Sequence, residues 1–113
     1  MIIPTKYNVG HTFWVPRCVD VYEKEELRFE GEVWYKNVTK LKAFAKRKRI
    51  VKIEVSVNTK DHVLVMYYVI NDDGDDNQLS SVYAEELIND YTEEQAIAVA
   101  KEYEAKNETY YGT

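Results

Sequence analysis

The strongest constraint on the fold is a pair of adjacent segments with the apolar patterns of β-strands. From residue 51 to residue 57 every second side chain is valine or isoleucine, and the residues between them are polar. Five residues, 58–62, lead into a continuous apolar run over residues 63–70. This pattern predicts an antiparallel β-hairpin. Because its second strand is apolar on both faces, we expect another element or a partner to cover each face.

Shorter alternating segments precede this hairpin. Residues 13–15 predict a strand, and a long polar connection is expected over residues 16–27. A further strand is predicted over residues 29–36, with Trp34 on the face opposite Phe29 and Tyr35. These segments indicate a chain dominated by β-structure.

The C-terminal third predicts a loop, a closing segment and a helix. Residues 72–77 form a polar acidic loop, and residues 82–88 a short closing segment. Thr92 and Gln95 have the spacing of a capping box, and two glutamates follow Thr92 in the first turn. An amphipathic helix is therefore predicted over residues 92–107.

Three short motifs resemble those of SH3-like barrels in small phage proteins. Residues 7–15 resemble the barrel opening, although His11 stands where the pattern usually has Asp. Residues 82–88 resemble the last turn and strand, and residues 91–96 the helix start that trails such barrels in proteins of phages and Firmicutes.

This resemblance implies a single domain, 1–113, of mainly β (β+α) class. Its parts would be a small SH3-like antiparallel β-barrel over about residues 7–90, a basic insertion at 38–49, and one C-terminal α-helix over about 92–107. It also implies a binding domain of phage or prophage type that carries no transferable catalytic residues.

The basic segment is the best lead to a binding surface. Residues 40–52 hold seven basic side chains and no acidic one. The apolar positions of residues 38–48 have helical spacing, so a short helix and an ordered basic loop are both open. Clustered cations could hold nucleic-acid phosphates or an acidic protein surface, or form a solvated face. The net charge of −5 and the scarcity of interleaved aromatics in this segment make nucleic acid the weaker alternative.

Residues 72–108 show the opposite charge bias, with twelve acidic side chains against two basic ones. Such a surface could mimic the charge of nucleic acid, although an acidic amphipathic helix is normally a solvated one.

The residues that could carry chemistry do not form a recognisable constellation. The acidic residues after Asp72 do not fit the register of a calcium-binding EF-hand loop. The soft-metal ligand types are His11, Cys18 and His62, and their spacing matches no zinc template. We therefore expect no metal, no cofactor and no enzymatic activity.

Membrane and export signals are also missing from the sequence pattern. The longest apolar run has eight residues, whereas a membrane helix needs about 20. The first residues lack the basic start and apolar core of a signal peptide, and one cysteine fits a reducing compartment. We expect a cytoplasmic protein with no membrane partner.

Aromatic residues complete the prediction, because the chain holds ten tyrosines and two tryptophans. Tyr and Trp are enriched at protein interfaces. The predicted partner-binding residues are Trp14, Trp34, Tyr35, Lys46, Arg47, Lys48 and Arg49. They predict a non-enzymatic protein-binding module, a phage-related or prophage-related accessory protein that modulates or inhibits a host factor such as a defence complex. The alternative is a nucleic-acid-associated domain using residues 40–52. A homodimer through residues 63–70 is also open.

Overall fold

Four antiparallel strands and one helix make up the chain in a computed structural model that describes residues 4–72 and 79–111. The elements are β1 (Thr12–Phe29), β2 (Glu32–Val57), β3 (Val63–Asn71), β4 (Leu79–Ala84), a 3₁₀ turn (Glu85–Leu87) and α1 (Glu93–Ala105). Each strand pairs with the next one in the chain, so the sheet order is β1-β2-β3-β4. The predicted mainly β fold with a C-terminal helix is confirmed.

The hairpin that the alternating residues predict is confirmed in detail. β2 ends at Val57, β3 begins at Val63, and these two residues face each other. A bulge between Ile50 and Lys52 shifts the register near the start of the hairpin. Both faces of β3 were expected to be covered, but Leu64 remains half-exposed, so that expectation is wrong for the first residues of the strand.

The predictions for residues 16–27 and 38–48 are wrong, because both segments are strand. β1 and β2 pair without interruption from Thr12 opposite Arg49 to Phe29 opposite Glu32. Each segment supplies the backbone partner of the other, which overrides the helical spacing of residues 38–48. The basic stretch is therefore neither a helix nor an inserted loop.

A two-residue turn divides the strand predicted over residues 29–36. Glu30 and Gly31 both have positive φ, 50° and 78°, as a type I′ hairpin turn requires. Because directly paired residues share a sheet face, Trp34 lies on the same face as Phe29, not on the opposite one.

The main core lies on one face of the sheet, near the start of β1. It consists of Tyr7, Phe13, Val15, Ile50, Tyr67, Val69, Tyr83 and Ile88. It joins the segment before β1 to the segment after β4, so the two ends of the sheet are held on one apolar cluster.

The helix α1 contacts β1 and β2 and covers the opposite face of the sheet. Pro16 and Cys18 on β1 and Ala96 and Ala100 on α1 are fully buried. Small side chains on both elements let the helix approach the sheet closely.

The capping box of α1 is confirmed. The Thr92 side chain accepts the backbone N–H of Gln95, and the Gln95 side chain accepts that of Thr92. The helix ends at Ala105, two residues before the predicted end. Asn107 takes the left-handed conformation, which Asn tolerates and which stops the helix.

The predicted closure of the sheet into a barrel is not seen. β4 pairs with β3, and no ladder joins β4 to β1 in residues 4–72 and 79–111. Of the predicted acidic loop over residues 72–77, all but Asp72 lies outside the described residues.

Cys18 offers a test of how firmly α1 covers the sheet. Burial raises the pKa of its thiol, and the carboxylates of Glu104 and Asp20 raise it further. The thiolate, which is the reactive form, is therefore scarce and shielded. We expect Ellman's reagent to modify Cys18 at least about a hundredfold more slowly in the native protein than in denaturant. Equal rates in the two conditions would contradict the buried position.

Candidate partner-binding arm

The β1-β2 hairpin projects far beyond the core as a two-stranded arm, which we define as residues 19–29 and 32–42. The molecule measures 77 × 30 × 26 Å and has a radius of gyration of 19.6 Å. A compact chain of this length would have a radius of gyration of about 13 Å. Eleven residues in each arm strand span roughly 35 Å at about 3.3 Å per residue, so the arm accounts for the elongated shape.

Solvent reaches the outer arm on both faces. Every residue from 22 to 37 is exposed. An isolated two-stranded hairpin is only marginally stable in water, so the arm depends on its cross-strand pairs and on its attachment to the core.

The end of the arm carries a group of exposed apolar side chains, which we call the tip cluster. Its members are Leu27, Phe29 and Trp34 on one face of the arm, and Val33 and Tyr35 on the other. Leu27 lies directly opposite Trp34. Trp34 is 58% exposed and Tyr35 is 69% exposed, although aromatic side chains normally bury most of their area.

Ion pairs hold the middle of the arm. The Lys40 Nζ atom lies 3.3 Å from a Glu23 carboxylate oxygen and 3.5 Å from one of Glu25. Hydrogen bonding to Glu23, together with the charges of both carboxylates, raises the pKa of Lys40. These groups are exposed, so each pair contributes little stability, but together they favour the observed register.

The predicted partner-binding residues fall into two separate places. Trp34 and Tyr35 are in the tip cluster. Trp14 lies at the base of the arm, where its backbone N–H donates to the Tyr91 carbonyl and the Arg47 guanidinium lies 5.9 Å from its ring centroid. Trp14 and Leu27 are thirteen residues apart on β1, which corresponds to more than about 40 Å.

The four predicted basic residues are engaged with the rest of the chain rather than grouped on one open surface. The Arg47 guanidinium donates to the Asp72 carbonyl and pairs with its carboxylate at 3.1 Å. Arg49 reaches the same carboxylate at 3.7 Å. Lys48 is buried and donates to the Asn71 side chain. Lys46 is half-buried opposite Val15.

Sequence reasoning missed Leu27 and Phe29 as parts of the exposed tip cluster. The signal that could have found them is the Glu30-Gly31 pair, because a turn at that point places the flanking apolar residues on two adjacent strands.

The described ranges, 4–72 and 79–111, contain no pocket and no group of three or more His, Cys, Asp or Glu side chains that could hold a metal ion. No helix in them is long and apolar enough to cross a membrane. The comparison with known proteins gives no match to a family model, a curated protein or a solved structure.

Proposed function

We propose that the chain is a non-enzymatic protein-binding module that holds its partner through the tip cluster. The observation that carries this proposal is the exposed cross-strand pair of Leu27 and Trp34 at the end of an arm that the chain's own core does not cover. Leu27, Phe29 and Trp34 share one face of the arm, and contiguous exposed apolar surface of this kind marks interaction sites in soluble proteins.

The tip cluster has the composition of a binding hot spot. Trp and Tyr offer large rigid area and a polar group that can find a partner, and they dominate the energetics of interfaces when a pocket desolvates them. The type I′ turn holds the two strands in register, so less conformational entropy is lost when the tip is bound.

A protein partner fits the charges better than nucleic acid does. The arm is close to neutral overall, because its acidic β1 strand offsets its basic β2 strand. Arg47 and Arg49 already compensate Asp72, and Lys48 is buried. Phosphate contacts would require these cations to leave their intramolecular partners.

The class of partner that we propose is the one that the sequence resemblance implies. We infer an accessory protein of phage or prophage type whose partner is a host or phage protein, such as a component of a defence complex. The part of the chain outside the arm would correspond to an SH3-like domain. The shared core of Tyr7, Phe13, Tyr83 and Ile88 supports this, because it brings together the segments that carry the resemblance.

The variant Trp34→Ser tests the role of the tip cluster. We expect the immobilised variant to retain its protein partner from host lysate at least about tenfold less well than the wild-type chain, because the central aromatic anchor is gone. Tyr22→Ser is the matched control, since Tyr22 is an 83% exposed aromatic on the same arm but outside the tip cluster. Equal retention by Trp34→Ser and the wild-type chain would refute the proposal.

Nuclease treatment distinguishes a protein partner from the alternative, a nucleic-acid partner bound by residues 40–52. A protein partner held by the tip cluster is expected to survive nuclease and to be lost in Trp34→Ser. Recovery that disappears with nuclease, is unaffected by Trp34→Ser and weakens in Arg47→Ala would favour the basic segment instead.

A further inference from the structure

Between the core and the start of the arm, other parts of the chain form hydrogen bonds with outward backbone groups of the β1-β2 hairpin. On β1, the N–H groups of Trp14 and Cys18 donate to the carbonyls of Tyr91 and Tyr110, and the Tyr110 N–H donates back to Cys18. On β2, the Ala43 N–H donates to the Glu104 carboxylate at 2.9 Å. Such protection is typical of edge strands that must not pair with other chains.

The intervening Pro16 contributes to this protection. In an antiparallel ladder, every second residue turns its N–H and carbonyl away from the neighbouring strand. Pro16 lies between Trp14 and Cys18 in that outward set, where a proline costs no bond to β2.

Beyond these contacts, both edges of the arm are open. The outward positions continue along β1 at even-numbered residues and along β2 at odd-numbered ones. They are Asp20, Tyr22, Lys24, Glu26 and Arg28 on β1, and Val33, Tyr35, Asn37, Thr39 and Leu41 on β2. In the described part of the chain, none of them has a backbone partner on its outer side. The arm contains no proline and no bulge.

The two open edges carry opposite charge. The β1 strand of the arm, 19–29, has four acidic and two basic side chains, whereas the β2 strand, 32–42, has one acidic and three basic side chains. Like edges of two copies would therefore repel each other, and unlike edges would attract each other. Edge charges that only prevented aggregation would not need to differ in sign.

We propose that the arms of successive copies pair side by side, the β1 edge of one copy with the β2 edge of the next. Five outward residues on each edge can form up to about ten hydrogen bonds in such a ladder. Each acidic strand then lies between two basic ones. The contact is head-to-tail, so it builds a ring if the rotation closes and a filament if it does not.

This inference goes beyond the proposed function, because it uses the backbone N–H and carbonyl groups of the arm edges and not the apolar side chains of the tip cluster. Val33 and Tyr35 belong to both sets, but Leu27, Phe29 and Trp34 do not lie at outward positions. Trp34→Ser is expected to leave the assembly intact, so the two proposals fail separately.

Two proline variants test the arrangement, one on each edge. Lys24 and Asn37 lie opposite each other at the middle of the arm, and both N–H groups point outward. Lys24→Pro and Asn37→Pro remove one edge donor each and leave the bonds between β1 and β2 in place, as Pro16 does. The readout is sedimentation velocity of the full chain over about a hundredfold range of concentration.

We expect the mass of the wild-type chain to rise with concentration and to fall back at high salt. Each proline variant alone stays monomeric. Their equimolar mixture forms a dimer and nothing larger, because each variant supplies the one edge that the other has lost. A dimer of either variant alone would show pairing of like edges and would overturn the head-to-tail arrangement. A wild-type chain that stays monomeric throughout would overturn the proposal altogether.

Matched controls separate the backbone edge from its side chains. Lys24→Thr and Asn37→Thr lose the same side chains but keep the N–H groups, so they are expected to assemble as the wild-type chain does. If they fail as the proline variants do, the edges do not carry the contact. Asp20→Lys keeps the backbone and reverses one charge on the β1 edge, and it is expected to weaken assembly several-fold. Protection of Cys18 from Ellman's reagent verifies the fold of each variant.

Discussion

Phe13→Ala is expected to lower the free energy of unfolding by about 3–5 kcal/mol, a large part of the roughly 5–15 kcal/mol available to a domain. Phe13 is 2% exposed, and its ring meets that of Tyr83 edge-to-face at 6.0 Å. Removing it leaves a cavity at the centre of the core that joins the two ends of the sheet. Equilibrium unfolding in urea, followed by circular dichroism, measures the change.

Phe29→Ala is the matched control for this substitution. It changes the same residue type on the same strand, but Phe29 is 68% exposed in the tip cluster. We expect its effect on the free energy of unfolding to stay within about 0.5 kcal/mol. A similar decrease in the free energy of unfolding in the two variants would mean that Phe29 is buried like Phe13. That result would contradict the position of the core near the start of β1.

The parts of the fold that the sequence predicted correctly are those with local signals. In the β2-β3 hairpin, β2 ends and β3 begins at the predicted residues, because strict alternation before a short polar link and a continuous apolar run after it mark both strands. The start of α1 was equally clear, since Thr92 and Gln95 satisfy each other's backbone N–H groups.

Apart from the strand predicted over residues 29–36, the arm could not be predicted because it lacks the alternation on which strand prediction depends. Alternation reports a strand with one buried face, but both faces of the arm are solvated, so charged and apolar residues occur on each. The apolar residues of segment 38–48 have helical spacing, but the conformation is determined by the facing strand, which lies up to 35 residues earlier in sequence. The long β-strands therefore result from tertiary pairing rather than from local propensity.

Only part of the candidate site was predicted, because its residues lie on the arm strands that the sequence pattern revealed only in part. Trp34 was expected to be exposed, and it is. Tyr35 lies on the face opposite Trp34, as predicted, but Phe29 was assigned to the wrong face because the turn at Glu30 and Gly31 was not recognised. The basic residues were chosen for their charge, and Asp72, which holds Arg47 and Arg49, was read only as part of an acidic loop.

A partly buried hydrogen-bond network around the Tyr67 hydroxyl gives the second large expected effect. The Tyr67 side chain is fully buried, and its hydroxyl donates to the Glu85 carboxylate and accepts the Tyr7 N–H at 3.3 Å. The same carboxylate accepts the Lys6 N–H at 3.1 Å. The hydrogen bond from Tyr67 holds the pKa of Glu85 below its ordinary value of 4.5. Burial, followed by the hydrogen bond to Glu85, raises the pKa of Tyr67.

Tyr67→Phe is expected to lower the free energy of unfolding by about 1–3 kcal/mol at neutral pH, because the Tyr7 N–H and the Glu85 carboxylate both lose a buried partner. The ring and its packing remain, so the loss reports the hydroxyl alone. Glu85→Gln keeps the shape of the side chain but removes its charge, and is expected to cost about 1–2 kcal/mol at the same pH. If the two residues act as one unit, the double variant loses less than the sum of the single losses.

The pH dependence distinguishes this carboxylate from a merely structural contact. The pKa of Glu85 is lower in the folded chain than in the unfolded one, so the stability it contributes is fully present above about pH 4.5 and is lost as the pH falls through the folded value. Unfolding of the wild-type chain in urea should therefore become easier below about pH 4.5, and the difference from Glu85→Gln should shrink over that interval. Glu86→Gln is the control on the exposed neighbour, and it should follow the wild-type profile. A difference between wild type and Glu85→Gln that stays constant down to acid would show that the charge of Glu85 does not stabilise the fold.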